Sequence, residues 1–334
     1  MKRIEQLWEE IELELAGGAY SGSGGGMLTR LATPESDQRL RVGVEWPSRT
    51  RVLLFSADAV VLPPRATWPE CRGLELLLNR ANVGKSTLMV RLRDIHGRDV
   101  FTALAEDLAR RAVGGSEAEA ARKVISALAR WQRFLAATGR SLSDEARRGL
   151  WGELKILGDV IAPVIGIDTA VNAWRGPAGA PQDFQHQGTA VEVKTRAARS
   201  PAVVRISGEQ QLHGAPWKNL FLAHVAVDEQ EGSGETLPQR IAALRKSVAG
   251  GSAAELFEDG LLDAGWLEAE EDKHHTRGFF VREFEFFKVV EGFPRLTPPV
   301  LPQGIGGLAY DLSLDAAAPY VVTADAIREA LESS

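Results

Sequence analysis

Two acids and a lysine stand close together in the middle of the chain: Asp183, then Glu192, then Lys194. Paired carboxylates beside an ammonium suit the hydrolysis of a phosphodiester with the help of a divalent cation. Hard oxygen ligands hold Mg²⁺, usually one or two carboxylates together with the substrate's own phosphate. Such a cation, for which Mn²⁺ could substitute, polarises the scissile phosphate and helps generate hydroxide. Lys194 would then steady the attacking water or the developing charge.

That chemistry requires the three side chains to converge, and the residues between them predict how. Gln187-Gly188 reads as a two-residue hairpin turn, because glycine accepts the positive φ that such turns demand. The register then sets His186 against Thr189, Gln185 against Ala190, Phe184 against Val191 and Asp183 against Glu192. Carboxylates so placed have Cβ atoms roughly 4.5–5.5 Å apart and repel unless something positive lies between them. Period-two alternation sends Val191, Val193 and Thr195 to one face and Glu192 and Lys194 to the other. The plain alternative is that Glu192 and Lys194 form a solvated salt bridge on a strand face.

A helix is expected upstream, from about Ser141-Leu142-Ser143-Asp144, with capping-box-like spacing from Ser141 to Asp144. Leu150, Leu154, Leu157 and Ile161 recur along it at helical intervals. Glu153 borders this apolar stripe, so it is either a third metal-site carboxylate or a flank residue paired with a base such as Arg148.

These residues resemble the PD-(D/E)xK nuclease superfamily, the fold of many restriction endonucleases. Its order is a helix with an acid, a strand with Asp, a strand with Glu-x-Lys and a further helix. Here the matching positions are Glu153, Asp183, Glu192-Val193-Lys194 and a helix expected near Gly208–His213. More narrowly, Gly149–Leu154, Trp174-Arg175-Gly176-Pro177, Asp183-Phe184, Val191–Thr195 and Gln211-Leu212 resemble bacterial proteins of phage-defence and restriction loci. The resemblance covers roughly residues 145–228 with specific motifs. It implies metal ligation by Asp183, Glu192 and Glu153, catalytic assistance from Lys194, and a site-edge role for Gln211, for which Gln210 competes. It also implies DNA as substrate, a defence role beside other restriction subunits, and room for a homodimer. Gln182 splits the name-giving Pro-Asp pair, leaving Pro181 one position too early. The competing class is a catalytically inactive subunit that keeps the fold for binding DNA or protein.

A second motif, Asn82-Val83-Gly84-Lys85-Ser86-Thr87, mimics the end of a phosphate-binding P-loop. Asn79 occupies its first glycine position, and Thr87–Arg93 alternates as a strand where a helix is needed. Lys85 therefore reads as a loop lysine between two strands.

The bulk properties suit a cytoplasmic enzyme. The 334 residues, 44% hydrophobic and 25% charged, can bury a sizeable core. The single cysteine, Cys71, excludes an internal disulfide framework and reads as an apolar filler. No apolar run approaches about 18 residues, and no hydrophobic signal core follows the first residues. A net charge of −6 argues against a DNA-coating protein, yet Arg175–Lys218 carries six basic against three acidic side chains.

The expected architecture is α/β (α+β): a restriction-endonuclease-like mixed sheet flanked by helices, behind a β-rich N-terminal module. Residues 1–135 form that module, with bridging helices from about Asp99, and 136–334 the nuclease-like domain. In the latter, Leu220–Val227 reads as a buried strand, Pro238–Val248 and Ala253–Leu262 as helices, and Phe279–Val290 as an aromatic-rich strand. Its phenylalanines could stack on bases or fill the core. His186 and His213 lie near the proposed site, and His274-His275 falls in an acidic segment expected to be exposed.

Overall fold

The computed structural model describes residues 3–17, 25–33, 39–58, 62, 73–80, 84–93, 97–137, 142–215, 217–248 and 250–333. Cys71, Ser141 and the 81–83 stretch of the P-loop-like motif lie outside them. The chain is mixed α/β and divides into two compact units, Met1–Arg140 with Leu267–Ala269, and Ser141–Trp266 with Glu270–Ser334. No helix among the described residues is long and apolar enough to cross a membrane.

The first unit contains α1 (Ile4–Ala16), β1 (Gly26–Leu31), β2 (Leu40–Trp46), β3 (Thr50–Asp58), β4 (Leu74–Arg80), β5 (Lys85–Leu92), α2 (Arg98–Ala112) and α3 (Glu117–Ala137). The strands form one antiparallel sheet in the order β1-β2-β3-β5-β4. Ile4, Leu7, Trp8, Ile11 and Leu15 recur at helical spacing and form the buried stripe of α1. Trp8 stacks on Phe101 at 5.2 Å and donates its indole N–H to the Gly43 carbonyl at 3.1 Å. Lys85 opens β5 opposite Asp58 and pairs with Glu117 at 3.2 Å, so it is a strand residue rather than a loop lysine.

The second unit holds α4 (Asp144–Ile156), α5 (Ala162–Ile165), α6 (Ile167–Ala173), β6 (Phe184–His186), β7 (Thr189–Ala197), β8 (Val203–Ile206), β9 (Asn219–Glu231), β10 (Glu235–Thr236), α7 (Leu237–Ser247), α8 (Gly251–Asp263), β11 (Arg277–Lys288), β12 (Tyr310–Ser313), α9 (Leu314–Ala317), β13 (Val321–Val322) and α10 (Ala324–Glu332). Its main sheet runs β10-β11-β9-β7-β6, with β13 on β11, and only β7 and β9 are parallel. The two faces of β7 have different fates. Val191 and Val193 join Trp151, Leu154, Phe221 and Val225 in one core, whereas Ala190, Leu220, Leu222 and Phe287 form a second core on the opposite side.

The cap of α4 is Ser143, whose hydroxyl accepts from the Ala146 amide at 3.1 Å; the helix begins at Asp144. Gly152 is needed where α4 crosses β7, since a Cβ there would fall 1.8 Å from Thr195 Oγ1. Beyond Ile156 the helix widens into a π-turn, Leu157–Ile161. The buried Arg240 donates to the Leu154 and Lys155 carbonyls there, satisfying acceptors near the distortion.

Candidate active site

The hairpin forms in the expected register, with Phe184 opposite Val191 and His186 opposite Thr189. Gln187 and Gly188 both take positive φ, 38° and 88°, the signature of a type I′ turn. Asp183 lies one residue beyond Phe184, close enough for its charge to act on Glu192. Asp183 is held by its own main chain and by its neighbours: its carbonyl accepts from the Arg175 and Gly176 amides at 2.7 and 3.0 Å. Its carboxylate accepts from the Val193 amide at 2.7 Å. A Cβ on Gly176 would lie 2.4 Å from Asp183 Oδ1, so this glycine gives the acid its room.

Glu192 is 1% exposed, and Lys194 Nζ stands 2.8 Å from its Oε1 as an ion pair. Neither Glu192 oxygen has a well-aligned hydrogen-bond donor. Glu153 arrives from α4 and accepts from the Trp174 indole at 2.8 Å. Its partner is not Arg148, which bonds Glu229 instead. Lys194 also donates to Gln211 Oε1 at 3.2 Å, and that oxygen accepts from the Ser207 amide at 2.8 Å.

Three carboxyls thus share one patch with one ammonium, and their acidities record the crowding. Burial pushes Asp183 up to about 6, against the opposing pull of the Val193 amide and the Lys194 charge. Burial, then the charge of Asp183, holds both Glu192 and Glu153 well above the ordinary carboxylate range. A buried acid is costly to ionise unless a proton or a cation neutralises it. Asp183, Glu192 and Glu153 offer the hard oxygen donors that suit a divalent cation.

Several expectations change. Residues 208–213 form successive turns rather than a helix. The Gln210 and Gln211 carbonyls accept from Gln182 Nε2, and the Leu212 carbonyl accepts from Arg295, so side chains take the acceptors that a helix would use. Gln210 itself turns to His213 at 3.3 Å. His274 is buried against the Trp266 ring, not exposed, while His275 pairs with Glu271. Phe279, Phe286 and Phe287 are core residues; Phe280 and Phe284 remain exposed. Within the basic strip Arg196 is buried, while Arg175, Arg199, Arg205 and Lys218 are exposed, Arg205 in a surface ion pair with Asp311.

Sequence reasoning missed a second ionic group beside the first. On the Glu192 face, Lys194 neighbours His224 of β9, which neighbours Glu285 of β11. His224, Glu283 and Glu285 bring ligand atoms within 4.8 Å of one another. Arg196 donates from Nε to His224 Nε2 at 3.0 Å, which leaves the proton on Nδ1, 3.1 Å from Glu285. Arg196 also reaches Glu283 at 2.6 Å. Burial holds the His224 pKa low, so the ring is neutral and already satisfied on both nitrogens. The apolar run around His224 hid this group from the sequence.

A mixed sheet carrying Glu-x-Lys on one strand, with Asp183 just before the adjoining strand and an acid-bearing helix packed on it, defines a PD-(D/E)XK nuclease-like domain. The chain belongs to the family described as "Putative PD-(D/E)XK family member, (DUF4420)", whose model matches residues 4–315. Neither a curated protein nor a solved structure matches the chain.

Proposed function

We propose that the chain is a divalent-cation-dependent DNA endonuclease. The observation that carries this reading is the buried Glu192 carboxylate, ion-paired to Lys194 but with no aligned hydrogen-bond donor, within the same patch as Asp183 and Glu153. Asp183 and Glu192 would hold Mg²⁺, or Mn²⁺ in its place, with Glu153 as a third acid. When bound, the cation supplies charge neutralisation at the scissile phosphate and lowers the pKa of water.

The chain's own groups do the rest. Lys194 has three N–H donors; one faces Glu192 and one Gln211, and the third is available to an attacking water or a phosphate oxygen. Its fixed positive charge favours the extra negative charge of the transition state. Water adds to phosphorus as it loses a proton, the bond from phosphorus to one sugar oxygen breaks, and that oxygen leaves as an alcohol by taking up a proton from solvent. The clasp of Arg175 and Gly176 on the Asp183 carbonyl keeps that acid from rotating away. The exposed Arg175 and Lys218 flank the hairpin and suit the neighbouring DNA backbone. The resemblance to defence-locus proteins further supports a cytoplasmic role against foreign DNA, beside other restriction subunits and with room for a homodimer.

The test is plasmid nicking by the purified chain with Mg²⁺ or Mn²⁺. Cleavage should stop with a chelator and in Asp183→Asn. DNA binding by wild type and variant alike, without cleavage by either, would instead make the chain a non-catalytic binding subunit.

A further inference from the structure

Gln182, the residue that separates Pro181 from Asp183, is 2% exposed, and its carboxamide is used to capacity. Nε2 donates to the Gln210 carbonyl at 2.7 Å and to the Gln211 carbonyl at 3.1 Å. Oε1 accepts from Gln185 Nε2 at 3.1 Å and from the Trp217 indole at 3.2 Å. An amide offers two donors and two acceptor sites, and all four are taken. The two carbonyls belong to the turn that presents Gln211, whose Oε1 receives both the Lys194 ammonium and the Ser207 amide. The segment that delivers Asp183 to one side of the site thus also sets the acceptor for Lys194 on the other.

We infer that Gln182 is a positioning residue, fixing Lys194 through the 210–211 turn and Gln211. This rests on the hydrolytic reading of Lys194 given above. Filling the space alone would not call for an amide, because an apolar side chain of similar size avoids the cost of burying four polar sites. The amide suits the place because its one nitrogen joins two successive carbonyls, of which Gln210's also accepts from the His213 amide at 3.1 Å.

Gln182→Glu is the sharp variant. One carboxylate oxygen can keep the Gln185 and Trp217 donors, while the other meets two carbonyl oxygens. Gln182→Met, which removes every bond at similar volume, replaces it should the glutamate variant fail to fold. Two readouts apply, with Gln211→Ala as reference. Hydrogen exchange at the Ser207 amide reports directly on Gln211 and should quicken in the Gln182 variant as it does in Gln211→Ala, with exchange along β9 unchanged. Single-turnover cleavage should fall by on the order of tenfold to a hundredfold in each variant. The double variant should be no slower than the slower single one, the mark of residues acting through one path.

Wild-type exchange at Ser207 in the Gln182 variant overturns the inference, as does exchange raised equally through β9, which would mark a general loss of packing. Losses of rate that multiply in the double variant overturn it too. Should the wild-type chain cleave nothing with either cation, the nuclease reading fails, and the Ser207 exchange still decides whether Gln182 positions Gln211.

Discussion

Two ionic clusters lie on the same face of the central sheet, and they solve the problem of burying charge in opposite ways. Around Arg196 the buried groups find partners: the guanidinium reaches His224, Glu283 and the Ala197, Ala198 and Ser200 carbonyls, and His224 reaches Glu285. Around Glu192 three acids face one lysine, and the most buried of them has no aligned donor on either oxygen. Three potential ligands within 4.8 Å are therefore a poor guide to a cation site by themselves. An arginine beside His224 supplies the charge and the donors that a cation would have brought. What distinguishes the first site is its deficit, since partly satisfied buried acids persist only where something else completes them.

The widest separation between the clusters should appear in catalysis. Glu192→Gln and Lys194→Met are each expected to slow DNA cleavage by on the order of 10²-fold to 10³-fold in single-turnover assays, as removal of one charge-stabilising group generally does. Wild-type rates in either would place the chemistry elsewhere.

Stability gives the next contrast. A cation that binds only the folded chain stabilises it by about 2.7 kcal/mol at 100 times its dissociation constant. That corresponds to a rise in Tm of roughly 5–10 °C for a domain of this size. The rise should vanish in Asp183→Asn, and its survival there would remove Asp183 from the ligand set.

Without a cation, pH should separate them as well. Asp183 ordinarily titrates near 3.8 and is raised to about 6 on folding. A carboxyl raised in this way favours the folded state at low pH, and the benefit is lost as pH climbs through the folded value. Glu192 and Glu153 are raised too, which extends the loss to higher pH. His224 and His274, held low by burial, act the other way, adding stability as pH rises toward their ordinary 6.5. The contribution of the acids is therefore read against Asp183→Asn: in chelator, the wild-type chain should lose more Tm between pH 5 and pH 8 than the variant, and equal changes would mean that Asp183 is better compensated than its geometry indicates.

How much of this was open to inspection in the sequence depends on range. The hairpin was legible because two residues, Gln187 and Gly188, set the register from His186–Thr189 to Phe184–Val191, and alternation then places Lys194 beside Glu192. Those are local consequences of backbone geometry. The partner of Glu153 lies at Trp174, and the carbonyls held by Gln182 lie at Gln210 and Gln211, joined only through the tertiary fold. The same bonds accompany the turns at 208–213, whose carbonyls are met by Gln182 and Arg295 from distant parts of the chain. His224 was concealed by the apolar stretch around it, where nothing local marks a buried ring held by arginine and glutamate.

The smallest expected effect tests the satisfied cluster. Glu285 is 41% exposed, and its oxygen accepts from the proton that Arg196 forces onto His224 Nδ1. Glu285→Gln keeps an oxygen at the same reach, so the hydrogen bond survives and only charge assistance is lost. For a partly solvated pair that costs less than about 1 kcal/mol. Cleavage should stay within about twofold of wild type, and the Tm rise on adding Mg²⁺ or Mn²⁺ should be unchanged. Loss of the cation-dependent rise in this variant, with the rise retained in Asp183→Asn, would reverse the assignment. It would mean that a cation displaces Arg196 from His224, and that the acids around Glu192 are kept neutral by protons instead.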